Sequence, residues 1–232
     1  MAVVAIAVLV LIAKLTDGSG GLGTDRGAAK ARTPIEASSL SSSVLEGVKQ
    51  SKNVLGRSNA PITLQFFGNL DCAPCREIAI LALRSIIQKW VATGKMRIEY
   101  IASPIATNNQ QMFRSEQTAA LAAGEQNKMW NFVEMFYYEQ AKSEPNAVPG
   151  ASLENFARNV PGLNLPRWNT DRESPRLSNQ LAGEMRYATQ HEVLETPSLL
   201  LGKTGGTMSR LPASDYNELS FDAAVERALE GK

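Results

Sequence analysis

The chain contains very few histidines and cysteines and has a net charge close to zero. Each of these features argues against a class of function. Of the 232 residues, one is a histidine (His191) and two are cysteines. A single histidine argues against histidine-based metal sites. Two cysteines cannot supply the four ligands of a zinc site within one chain, although a zinc ion shared between two copies stays open. The formal net charge of +1 leaves no electrostatic footprint for nucleic acid or for acidic membranes.

The two cysteines lie close together, in the segment Cys72-Ala73-Pro74-Cys75. A structural disulfide gains most from closing a long loop, so this short ring favours reversible redox chemistry. Upstream, apolar residues alternate at 62, 64 and 66, which predicts a strand over 62–67. Downstream, apolar residues recur at helical spacing: Ile80, Leu83, Ile87, Trp90 and Val91. Cys72 is therefore expected near a helix N-terminus, where amide N–H groups and the helix dipole stabilise a thiolate.

The N-terminal segment is an unbroken apolar run from Met1 to Ala13, ended by Lys14. As a helix it would span roughly 20 Å, short of the roughly 30 Å hydrocarbon core of a membrane. That length is typical of the apolar part of a signal segment, although no basic residues precede it. We expect residues 1–15 to be a signal anchor or transmembrane segment that is truncated at its start.

Residues 16–43 are rich in glycine, serine and alanine and show no apolar periodicity, which predicts a flexible linker. Within it, Gly18–Gly23 matches the spacing of a dinucleotide-binding loop. That loop needs a strand before it and a helix after it, and neither pattern is present here. The glycines are therefore interpreted as part of the linker.

From about residue 44 the pattern becomes that of a folded domain extending to residue 232. A first strand is expected between Val44 and Leu55, and a second strand over 96–102 follows the cysteine helix, whose end is expected at about Val91. A helical block runs over about 108–191, in which a stripe of methionine and aromatic residues favours core packing. Short strands over 198–201 and 207–211 precede a last helix, for which Ser220 is the expected cap.

This order, strand–helix–strand, helical block, strand–strand–helix, resembles the thioredoxin superfamily. Within it, the chain is similar to the DsbA-like thiol-disulfide oxidoreductases. The residues that carry the resemblance are the Cys72–Cys75 segment after a strand, Thr196-Pro197 before a late strand, and the helical block between the two halves. The resemblance implies an α/β fold with a central mixed sheet flanked by helices and an inserted helical domain at about 108–191.

The resemblance also implies a role for each matching residue. Cys72 corresponds to the attacking thiolate, and Cys75 to the resolving thiol. Thr196-Pro197 corresponds to a cis-proline loop that binds substrate, since the X-Pro bond is the one at which the cis form is common. No cofactor is implied beyond the Cys72–Cys75 disulfide, and no metal.

The residues around the cysteines bear on redox tuning. Ala73-Pro74 replaces the Pro-His of strongly oxidising family members, which leaves the direction of exchange open. Asp71 is expected to disfavour the thiolate through its charge, and Arg76 to favour it.

Function and location follow from the resemblance and the apolar segment. We expect an extracytoplasmic enzyme that exchanges disulfides with exported proteins and is regenerated by a membrane redox partner. It would be anchored by the N-terminal segment, or secreted if that segment is cleaved. Two alternatives stay open: a membrane-tethered thiol reductase or isomerase, and a redox-silent or Cu(I)-handling binding protein that uses two soft thiolates.

Overall fold

The computed structural model describes residues 43–105, 107–140 and 150–231. The predicted anchor at 1–15 and the linker at 16–43, apart from its last residue, lie outside the described residues. None of the helices in the described part of the chain combines the length and the apolar character needed to cross a membrane.

A six-stranded mixed sheet forms the centre of the fold. Its strands are β1 (Gln50–Ser51), β2 (Val54–Leu55), β3 (Ile62–Gly68), β4 (Met96–Ala102), β5 (Ser198–Lys203) and β6 (Met208–Arg210). They lie in the order β1-β2-β4-β3-β5-β6. The strand β3 pairs in parallel with β4, starting at Ile62 opposite Met96, and antiparallel with β5. The cysteine segment therefore leaves from the central part of the sheet.

All seven residues of β3 are buried, because both faces of this strand are covered. The strand expected between Val44 and Leu55 is replaced by a helical turn at 43–45 and a hairpin of two two-residue strands. Lys52, in the connecting turn, has a φ of 53°, and this left-handed conformation ends strand β1.

Seven helices surround the sheet in the described part of the chain. They are α1 (Ala73–Ile86), α2 (Gln110–Gly124), α3 (Met129–Gln140), α4 (Gly150–Arg158), α5 (Leu165–Arg172), α6 (Pro175–Gln190) and α7 (Glu218–Glu230). Helix α1 continues into a π-helical turn at Ile87–Val91, so the predicted end at about Val91 is confirmed. A 3₁₀ turn at Ala213–Asp215 precedes α7.

Helices α2 to α6 form the insertion between β4 and β5, and the predicted thioredoxin-like fold with a helical insertion is confirmed. The methionine and aromatic stripe of α3 is core, as expected: Met129, Phe132, Val133, Phe136 and Tyr137 are at most 2% exposed. Helix α6 begins as its sequence indicates, with the Ser174 side chain as cap and Pro175 in the first turn.

The predicted cap of the last helix is wrong by three residues. Helix α7 is capped by Asn217, whose side-chain oxygen accepts a hydrogen bond from the Ser220 amide at 3.1 Å. Asn217 has an extended backbone and Ser220 already lies within the first turn. Asparagine is as good a cap as serine, and its position three residues earlier lets the helix begin at Glu218.

Trp168 joins α5 to the rest of the insertion. Its ring is completely buried, lies 5.9 Å between centroids from Phe132, and donates a hydrogen bond from Nε1 to the Ala119 carbonyl at 2.8 Å. The indole thus links three helices of the insertion.

We predict that Trp168→Ala lowers the free energy of unfolding by about 3–5 kcal/mol, because it removes a large buried ring and leaves a cavity. Urea denaturation measures the change. Trp168→Phe is the matched control: it keeps most of the apolar volume and loses the N–H donor, so a smaller loss is expected. An equal loss in the two variants would contradict the packing argument.

Candidate active site

The cysteine pair lies where the chain leaves β3 and enters α1. Cys72 is the N-cap of α1, and its Sγ accepts a hydrogen bond from the Cys75 amide at 3.1 Å. The two residues form a disulfide with a Cα–Cα distance of 5.2 Å. Cys72 is 8% exposed and Cys75 is not exposed, so Cys72 is the more exposed of the two cysteines. The predicted position of Cys72 at a helix N-terminus is confirmed.

The tight turn before the helix is organised by Asn69, which is 1% exposed. Its Oδ1 accepts a hydrogen bond from the Asp71 amide at 3.0 Å. Its carbonyl oxygen accepts two more, from the Cys72 amide at 3.1 Å and from the Tyr137 hydroxyl at 3.1 Å. Asparagine side chains form such turns readily, and Pro74 suits the first turn of the helix because its missing N–H would have no partner there.

The late Thr196-Pro197 segment faces the cysteines across the site. Its peptide bond is cis, as predicted, and the Thr196 carbonyl oxygen lies 3.4 Å from Cys72 Sγ. The Thr196 hydroxyl donates to the Ile105 carbonyl at 3.3 Å, beyond the end of β4. The Tyr216 hydroxyl contacts the Pro197 carbonyl at 3.4 Å and accepts the Leu199 amide at 3.1 Å. The loop is therefore held from two sides.

Arg210 at the end of β6 also holds this loop, a contact that sequence reasoning missed. One guanidinium nitrogen donates to Ser198 Oγ at 2.8 Å, and the other donates to the carbonyls of His191 and Glu192 at 3.1 and 3.0 Å. These groups stand at the two ends of the loop between α6 and β5. Because Arg210 lies in a short polar strand with no motif, nothing in the sequence pointed to it.

The expected tuning residues surround the disulfide. Ala73 and Pro74 are exposed, whereas Asp71 and Arg76 are half-buried. Burial raises the pKa of the Asp71 carboxyl, and Gln140 Nε2 lies 3.5 Å from its Oδ1. The structure thus brings the four residues to the pair, and their effect on its potential stays a prediction.

Two buried carboxyls near the site were not anticipated. Glu116 of α2 and Glu134 of α3 are each 1% exposed, and their carboxyl oxygens have no hydrogen-bond partner among the described residues. Burial, with a smaller effect from Asp71, raises the pKa of Glu116 to about 8. Burial raises the pKa of Glu134 to about 7, against the opposing effect of Arg84. No sequence pattern sets these two glutamates apart from those on the surface.

The comparisons with known proteins agree with this geometry. A family model described as thioredoxin matches residues 49–210. The chain belongs to the thioredoxin family. The match covers the cysteine pair, the helical insertion and the cis-proline loop, which together make up the site.

Two relatives of the chain carry the name "Probable disulfide bond formation protein D". The protein from Bacillus anthracis is 20% identical over 177 residues, which cover 76% of this chain and 77% of the relative. The protein from Bacillus cereus is 19% identical over 177 residues, which cover 76% of this chain and 78% of the relative.

Solved structures share the fold of this thioredoxin family member. Oxidised BdbD from Bacillus subtilis superposes with a TM-score of 0.66 at 15% identity, covering 79% of this chain and 97% of that one. The α-DsbA1 of Wolbachia pipientis gives 0.61 at 15% identity, covering 77% and 91%. The predicted resemblance to DsbA-like proteins is confirmed, as is the enzyme class, a protein disulfide oxidoreductase with a Cys72–Cys75 disulfide.

We predict that Arg210→Gln raises the KM for a reduced peptide substrate by about 5-fold, because the loop facing Cys72 loses hydrogen bonds from a charged donor. The rate constant kcat and the reduction potential of the disulfide should change little. Arg210→Lys keeps the charge and is expected to recover part of the loss. Lys203→Gln, at the exposed end of β5, serves as the control for removal of a positive charge. A KM unchanged in Arg210→Gln would contradict the assigned contact.

Proposed function

We propose that the protein is an extracytoplasmic thiol-disulfide oxidoreductase that exchanges disulfides with exported proteins. The observation that carries the proposal is the arrangement of one accessible sulfur: Cys72 Sγ lies at the N-terminus of α1, joined to buried Cys75 and 3.4 Å from the Thr196 carbonyl. The arrangement offers one sulfur for attack and one as a leaving group.

The exchange conserves sulfur, protons and electrons. A substrate thiolate attacks Cys72 Sγ, the Cys72–Cys75 bond breaks, and the electron pair leaves with Cys75, which takes up a proton. The second substrate thiolate then attacks the substrate sulfur of the mixed disulfide and releases Cys72. The substrate dithiol loses two electrons and two protons. The cysteine pair takes up both protons and ends as two thiols, or it takes up one and ends as a thiolate and a thiol while the other proton goes to the solvent. Run backwards, the same steps reduce or rearrange a substrate disulfide.

Two backbone groups near Cys72 Sγ favour different chemical states of that sulfur. The Cys75 N–H, 3.1 Å away, favours a negatively charged sulfur, as does the helix N-terminus. The Thr196 carbonyl oxygen, 3.4 Å away, favours a sulfur that carries a proton or a bond. An extended substrate strand beside the cis-proline loop would bring its cysteine sulfur next to Cys72 Sγ, where the mixed disulfide forms.

The location and the partner complete the proposal. The apolar segment at 1–15 would place the domain outside the cytoplasm, with residues 16–43 as its tether. Disulfides persist in such oxidising compartments. A membrane redox partner would then return the pair to its starting state after each exchange. The reduction potential of the Cys72–Cys75 disulfide decides whether the cycle runs as oxidation or, as in the alternative hypothesis, as reduction or isomerisation.

We predict that Cys75→Ala accumulates mixed disulfides through Cys72, because the buried thiol that resolves them is removed while the attacking sulfur remains. Non-reducing gel electrophoresis of the variant with disulfide-containing exported proteins, followed by mass spectrometry, measures the adducts. Cys72→Ala is the matched control and should form none, because Cys75 is not exposed. Adducts of equal yield in the two variants, or exchange activity that survives the loss of Cys72, would rule out the proposed mechanism.

A further inference from the structure

Two arginines of the helical insertion have no ion-pair partner within the described part of the chain. Arg114 of α2 and Arg186 of α6 are exposed, and the side chain of neither makes a salt bridge or a hydrogen bond to another described residue. Other exposed arginines of the insertion each bind a carboxylate: Arg158, Arg167 and Arg176. The charges of Arg114 and Arg186 are therefore available to a ligand.

The acidic residues near these arginines are not placed to neutralise them. Every position three or four residues away from either arginine on its own helix is occupied by an uncharged residue. Glu184, on the same helix as Arg186, is turned towards the sheet, where its carboxyl accepts the Ala102 amide at 3.0 Å. The buried carboxyl of Glu116, on the same helix as Arg114, has no hydrogen-bond partner among the described residues.

The two arginines line one pocket between α2 and α6, which we call the arginine pocket. Its volume is about 260 Å³, and its other walls are formed by Pro104, Ala182, Met185 and Thr189. Sites for small molecules and cofactors usually occupy about 300–1,000 Å³. The smaller pocket suits a single side chain, with an apolar stem against the proline and methionine and a negative charge against the arginines.

The arginine pocket is joined to the redox site by direct contacts. Pro104 precedes Ile105, whose carbonyl oxygen accepts the Thr196 hydroxyl at 3.3 Å. The carbonyl oxygen of Thr196 lies 3.4 Å from Cys72 Sγ. Two contacts and two residues thus connect the sulfur to the pocket wall, which places Pro104 within roughly 15 Å of Cys72. An extended strand covers that distance with about four residues.

A second connection reaches the pocket from α6. The carbonyl oxygen of Thr189, a pocket residue, accepts the Glu192 amide at 3.1 Å. Glu192 begins the segment that leads from α6 to Thr196-Pro197. The pocket therefore adjoins the loop that faces the disulfide both at the end of β4 and at the end of α6.

We propose that the arginine pocket binds an acidic side chain of the protein substrate while the substrate cysteine reacts at Cys72. The inference rests on the proposed thiol-disulfide exchange and names a feature of its substrates, a glutamate or aspartate within about four residues of the reacting cysteine. Guanidinium groups bind carboxylates through two parallel N–H donors, so a pair of arginines selects a carboxylate over an amide of the same shape.

We predict that the wild-type chain prefers dithiol peptides with a glutamate over matched peptides with a glutamine. The substitution is placed in turn at about two to five residues on either side of the reacting cysteine. At the best position the KM should be roughly 2–5-fold lower for the glutamate peptide, because exposed ion pairs contribute modestly. Raising the salt concentration should shrink this ratio.

The double variant Arg114→Gln with Arg186→Gln should lose the preference and keep the kcat of the wild-type chain. A glutamate also changes the reactivity of the peptide thiol, so the quantity compared between enzyme forms is the ratio of the two KM values. Arg158→Gln removes an exposed arginine from another helix of the insertion and should keep the preference. Arg186→Glu should transfer it to a peptide with lysine. A preference that persists in the double variant, or that Arg158→Gln also abolishes, would overturn the proposal.

A direct measurement uses the trapped complex. In Cys75→Ala protein joined to each peptide through Cys72, NMR follows the arginine Nε–Hε signals, which the single variants Arg114→Gln and Arg186→Gln assign. The glutamate peptide should shift at least one of the two signals relative to the glutamine peptide. Identical spectra would refute the arginine pocket and leave the proposed function intact. Failure to form a mixed disulfide with either peptide would instead refute the proposed function.

An anionic membrane surface offers the same negative charge as a carboxylate. Sedimentation with vesicles that contain phosphatidylglycerol, compared with phosphatidylcholine vesicles, tests this occupant. We expect the double variant and the wild-type chain to sediment equally. Binding to the anionic vesicles that the double variant loses, together with equal KM values for the two peptides, would assign the pocket to lipid and overturn the proposal.

Discussion

The hydrogen bond from the Cys75 amide to Cys72 Sγ is the interaction on which the site depends, because it exists only where a helix begins. It requires that the chain leave the central strand β3, turn within four residues and start α1 at Ala73. Asn69 stabilises that turn because both of its oxygens accept hydrogen bonds. Its Oδ1 accepts the Asp71 amide, and its carbonyl oxygen accepts the Cys72 amide and the Tyr137 hydroxyl. The reactivity of one sulfur is thus a property of the main chain around it, and the rest of the fold holds that main chain in place.

The helical insertion makes direct contacts with the turn that carries Cys72. Tyr137 of α3 reaches the carbonyl of Asn69, and Gln140 at the end of the same helix lies beside Asp71. Through these contacts the insertion is bound to the turn that carries Cys72. The charge of Asp71, beside Cys72, also acts on the buried Glu116 carboxyl of the insertion, although the two residues are more than 40 positions apart in the sequence.

Sequence patterns predicted the elements whose structure is determined by residues that are close together in the chain. The alternation over 62–67 and the helical spacing after Cys75 led to the strand, the helix and the position of Cys72 between them. The Ser174 cap and Pro175 in the first turn of α6 follow local rules of the same kind. Arg210 was missed because its partners, at 191, 192 and 198, become neighbours only when β6 pairs with β5. Glu116 was missed because burial of a charged residue is decided by packing of the insertion, and its spacing is that of any surface glutamate.

Arg210 links local unfolding of the edge strand β6 to the loop that faces the disulfide. The strand β6 has three residues and pairs on one side, with β5, so it belongs to the part of the sheet that opens most readily. Its last residue binds the carbonyls after α6 and the hydroxyl of Ser198. Fraying of this edge would free the segment between α6 and β5 at the same moment. The edge strand and the loop that faces the disulfide therefore form one cooperative unit of local unfolding, and amide hydrogen exchange in the two should share a common opening rate.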